Sequence, residues 1–171
     1  MSQNAGTVGV LVVAFLLQIA IAPQLGIFGI VPNIVFVLMA AIALLRGSRQ
    51  GAIIGFTCGL IFDFIGSGPI GVSALSFCVA GAMAGALRHN TFAEGWKLPV
   101  VIVAVSSLVA ELLYAVTLLL LGEGIAFLPT LTDVVLPTAA YNGAIAVGIF
   151  PILAHFLRQD RTVQTFRRIG R

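Results

Sequence analysis

The chain has 171 residues, of which 60% are hydrophobic and only 9% charged, against about 25% charged in an ordinary soluble domain. So little charge cannot coat a water-soluble surface. The net charge of +3, drawn mostly from residues 158–171, is not the footprint of a nucleic-acid-binding face.

Six apolar segments, at about 1.5 Å per residue across a hydrocarbon core of about 30 Å, account for nearly all of the sequence. The first is expected over about 5–22, stopped by Pro23. Its N-terminal flank lacks a basic n-region, so it reads as a retained span. The second, about 31–46, opens at Pro32 and Asn33 and ends at Gly47. The third, about 51–65, closes on the turn signal Gly66, Ser67, Gly68 and Pro69. The fourth is expected over about 71–87, the fifth over about 99–121 and the sixth over about 137–157. Segments two and three are short for a free lipid-facing crossing, which suggests helices buried among their neighbours or ending below the membrane surface. The expected architecture is an all-α integral membrane protein: one six-span domain over residues 1–157, then a basic tail, 158–171. In that tail Val163, Phe166 and Ile169 recur three apart among arginines; a frayed, topology-setting tail is the favoured reading, with contact to an anionic leaflet or to the cytoskeleton as the alternatives.

All nine basic residues fall on one side of this arrangement. Arg46 and Arg49 follow span two, Arg88 and Lys97 follow span four, and Arg158, Arg161, Arg167, Arg168 and Arg171 follow span six. Cytoplasmic loops are enriched in Lys and Arg, so both termini are expected in the cytoplasm. Trp96 suits the headgroup region, and the connection 122–136, with Glu123 and Asp133, faces outward.

Gly51, Gly55 and Gly59 recur every fourth position, and Asp63 is the next member of the series. Such a stripe presents no side chain for two turns and lets another helix approach closely. Gly81 and Gly85 repeat the spacing in segment four, so a compact helical hairpin is expected, with gating or substrate passage the alternative use of the glycines. An acid within a span costs about 2.5–3.5 kcal/mol on insertion scales. Asp63 is therefore expected in structural hydrogen bonding, with partner contact or ion handling as alternatives. Glu111 is the second such acid, one turn from Tyr114, with Asn142 or Tyr141 favoured over His155 as its partner. Two acids make a poor proton relay. Cys58 and Cys78 form no CxxC pair and have no histidine at ligand spacing, so no metal or other cofactor is expected. No nucleophile with an adjacent base can be assembled, and no enzymatic activity is expected.

The run GFTCGLIFD from Gly55 to Asp63, followed by GSGPIGVSAL from Gly66 to Leu75, resembles the signature of the bacterial rod shape-determining family MreD. Pro32 and Asn33, the run RGSRQGAIIG from Arg46 to Gly55, and Asn142, Gly143 and Pro151 resemble that family in the same order. Many members have an acid where this chain has Asn33.

The resemblance implies a non-enzymatic scaffold of the cell-elongation complex in the bacterial inner membrane. It would bind MreC directly and work beside MreB and the elongation transpeptidase and glycosyltransferase. The bundle of that family is similar to the substrate-binding subunits of energy-coupling-factor vitamin transporters, and such a subunit is the alternative reading. A ligand-binding subunit needs a concave pocket with convergent polar groups, whereas the outer loops here are short and mostly apolar outside Glu123 to Asp133.

Overall fold

A computed structural model describes residues 3–27, 29–87 and 97–149. Over these residues the chain is helical, with an isolated bridge between Ile27 and Ile30 and no strand. Helix α1 (Gln3–Ala20) is followed by a single 3-10 turn, Ala22–Leu25, with Pro23 near its start. Helices α2 (Ile34–Arg46), α3 (Ser48–Ile65), α4 (Val72–Ala86) and α5 (Lys97–Leu120) come next. The last helix, α6, is α-helical over Phe127–Thr130, π-helical over Leu131–Val135, and continues through residues 136–149.

Helix α2 is the axis of the bundle. Every residue from Ile34 to Leu44 is buried, and α1, α3, α4 and α5 all pack against it. A helix apolar on every side is stable only when enclosed, and enclosure explains how 13 residues suffice here. Gly47 alone joins α2 to α3, and its φ of 93° lies where a side chain would be strained.

Three expectations change. Helix α3 is not short: it starts at Ser48 and runs for 18 residues. It is also not enclosed, since only Gly51, Gly55, Cys58, Gly59 and Asp63 are buried while Phe56 and Phe64 face outward. Helix α6 starts at Phe127 rather than near residue 137, so much of the expected outer loop is helix. Pro129 falls in its first turn, where the missing N–H costs nothing. Pro137 is accommodated because the wider π turn just before it relieves the clash of the ring with the preceding turn.

The outer surface is as apolar as the core. Val8, Val12 and Leu16 on α1 and Val101 and Val105 on α5 are exposed at four-residue spacing. In water such faces would drive aggregation; in lipid they are the expected exterior. Among the described residues α5, at 24 residues, is the one helix long and apolar enough for a free crossing, with Gly6–Ala20, α2 and α4 as shorter apolar helices.

Candidate functional site

The α3–α4 hairpin is the closest helix pair in the molecule. Gly51 faces Gly81, Gly55 faces Phe77, Gly59 faces Ser73, and Gly85 faces Gly47. Each step of four along α3 is matched by a step of four back along α4. A β-carbon at Gly51, Gly55, Gly59, Gly81 or Gly85 would lie under 3.0 Å from facing backbone, closer than real β-carbons approach. Phe77 then reaches back to the axis, with its ring edge-on to Phe36 at 5.2 Å and 5.8 Å from Phe62. The glycine stripe is filled by α4 and offers no groove to another chain.

Asp63 ends the stripe by capping the opposing helix. Its Oδ2 accepts the backbone N–H of Gly71 at 2.8 Å and of Ala74 at 3.2 Å, and its Oδ1 accepts that of Ser73 at 3.0 Å. Helix N-termini leave four N–H groups unsatisfied and carry partial positive charge, so a carboxylate reaching in from the neighbouring helix meets both needs. Gly71 has a φ of 103°, which turns its N–H towards Asp63 in a conformation costly for other residues. The spacing from Gly55 to Ser73 thus has a mechanical reason.

A second polar knot secures the start of α2. Asn33 Oδ1 accepts the N–H of Phe36 at 2.9 Å, a conventional N-cap. The N–H of Asn33 donates to Asn142 Oδ1 at 2.8 Å, and Asn142 Nδ2 donates to Ser107 Oγ at 2.8 Å. Gln18 on α1 accepts from the N–H of Ile34 at 2.7 Å and donates to the carbonyl of Pro32 at 3.0 Å. Four helices meet here through side chains that satisfy otherwise orphaned backbone groups. Tyr141 donates to the carbonyl of Leu25 at 2.6 Å, so neither Asn142 nor Tyr141 is directed at Glu111. At the opposite end Arg46 donates to Thr7 Oγ1, tying α2 to α1.

Between these two knots lies a cavity of about 570 Å³, lined by Glu111, Tyr114, Asp133 and Thr138 together with Asp63 and Gln18. It reverses the expectation that short apolar loops would leave no concave polar site, because helix residues such as Asp63, Glu111 and Thr138 build its walls together with the connections at 29–31 and 66–68. Gln18, Ser107 and Thr138 had no sequence signal of their own; a lone glutamine near the end of an apolar helix was the available clue. Arg88, Trp96, His155, Pro151 and the basic tail lie outside the described residues.

Helices apolar on both faces, with an internal acid, Asp63, and internal amides bound to backbone ends, define a helical membrane protein. The family model described as rod shape-determining protein MreD matches residues 3–160, and the chain belongs to that family. Its role is accordingly in the determination of cell shape. No curated protein and no solved structure matches the chain.

Proposed function

We propose that this protein is a non-enzymatic scaffold of the cell-elongation complex, crossing the bacterial inner membrane six times with both termini in the cytoplasm. In this reading it binds MreC directly, and MreB and the elongation transpeptidase and glycosyltransferase are complex members. The observation that carries it is the match over residues 3–160. The charge arrangement supports the orientation: Arg46, Arg49 and Lys97 belong to the end where α2 meets α3 and α5 begins, and Asp63, Glu123 and Asp133 to the other. With the glycine stripe filled by α4, a partner helix would meet the bundle on an outward face such as that of Phe56 and Phe64 on α3.

The second reading, a substrate-binding subunit of the energy-coupling-factor type, draws its support from the cavity. Mild crosslinking in native membranes, purification of the tagged protein and mass spectrometry separate the two. Recovery of MreC with wall-elongation enzymes supports the scaffold. Recovery of transporter ATPases with a coupling subunit would replace it.

A further inference from the structure

Four acids are found among the described residues, namely Asp63, Glu111, Glu123 and Asp133. All four line two adjoining cavities at the end of the bundle away from the arginines, one of about 570 Å³ and one of about 490 Å³. Tyr114, Ser67 and Gly68 border both spaces. Among the described residues no Lys, Arg or His lines either one.

The acids are not equivalent. Asp63 holds three backbone N–H groups, and Asp133 accepts from Thr132. Glu111 is mostly enclosed by its neighbours and lines the larger cavity, to which it stays partly accessible. It has neither a hydrogen-bond donor nor an ion-pair partner among the described residues. An enclosed carboxylate left without a partner is costly, and buried charges are ordinarily paired. The described residues include no group of three or more metal-ligating side chains, so the geometry does not suit a metal ion. Phe62 and Phe77 supply apolar wall to the same cavity, and its volume is that of a small-molecule site.

We infer that the larger cavity binds a ligand carrying a primary ammonium group on an apolar body. The ammonium sits against Glu111, whose carboxylate accepts its N–H groups, and Tyr114 lies one turn further out on the same helix. Glu123 of the adjoining space and Asp133 raise the local concentration of cations near the site. The ligand is either a soluble amine or the aminoethyl headgroup of a lipid. This inference does not depend on transport, and it stands whether or not MreC is bound.

The test uses the full-length protein in phosphatidylglycerol nanodiscs, titrated calorimetrically with phenethylamine, 2-phenylethanol and phenylacetate, with empty discs subtracted. Saturable binding of the amine alone is expected, weakened about tenfold or more by Glu111→Gln, or about 1.4 kcal/mol. Asp133→Asn, at an exposed position, should weaken it less. If binding disappears in phosphatidylethanolamine discs, the occupant is the lipid headgroup; if it persists unchanged, the occupant is a soluble amine. Equal binding of all three probes would overturn the inference, as would amine binding insensitive to Glu111→Gln in protein of unchanged thermal stability. Loss of a co-purifying protein in Glu111→Gln without loss of amine binding would also overturn it, assigning the carboxylate to a partner's basic side chain.

Discussion

The backbone N–H of Asn33 donates to the side-chain oxygen of Asn142 at 2.8 Å, across 109 positions of sequence. The bond is buried and joins the first turn of the central helix to α6. Removing one member of a buried pair leaves the other unsatisfied, at roughly 1–3 kcal/mol. Asn142→Leu strands both the Asn33 N–H and Ser107, so a loss of about 2–4 kcal/mol is expected, read as a lower unfolding temperature in detergent. Asn33→Asp keeps the bonding N–H and a capping oxygen for Phe36, and should unfold within a few degrees of the parent. Parent-like stability of Asn142→Leu would contradict this account.

The three bonds at Asp63 set an order for its variants. An asparagine offers one acceptor oxygen where the carboxylate uses two, and a leucine offers none. Stability and shape complementation in a strain lacking the gene should therefore fall from Asp63 to Asp63→Asn to Asp63→Leu, with the leucine variant losing roughly 3 kcal/mol or more. Equal behaviour of the two variants would remove the capping role.

Gly55→Leu and Gly59→Leu drive a side chain into the backbone of α4. Overpacking of this kind typically costs about 1–3 kcal/mol or more, so both variants should show lower steady-state levels and reduced thermal stability before any partner is considered. Phe56→Ala, on the outward face, should keep the fold, so that any loss of MreC from its membrane extracts reports a surface contact. A Gly55→Leu protein with normal stability that fails to recover MreC would show that the stripe serves a partner instead.

Orientation rests on the basic residues of the inner connections. Deleting residues 161–171 leaves Arg46, Arg49, Arg88 and Lys97 in place, and topology should not change. Single cysteines at Ser48 and Gly124, in a background without Cys58 and Cys78, should label from opposite sides of the membrane in both full-length and truncated protein. Inverted labelling after truncation would show that the tail sets the orientation.

The hairpin was legible because its signals are local and periodic: glycines every fourth residue, an acid in phase with them, and a turn between. Asn33 was legible as the point where the second span opens, but not as the cap it supplies to Phe36. The role of Asn142 was not, since its acceptor and donor contacts come from α2 and α5 and no local pattern encodes them. The start of α6 was hidden by Gly122, Gly124, Pro129 and Pro137, each a sound breaker signal on its own. What the residues could not announce was the π turn that lets a helix pass through Pro137. The cavity escaped notice because its walls come from six separate stretches of chain.

The single-residue link at Gly47 bears on biogenesis. Helix α2 is too short to cross a bilayer unaided, has no polar face to rest at the interface, and is followed without a loop by α3. It therefore cannot be laterally released as an independent span. Residues 34–65 are therefore expected to leave the insertion machinery together as a helical hairpin, with α2 fully enclosed only when α4 and α5 have been synthesised to pack against it.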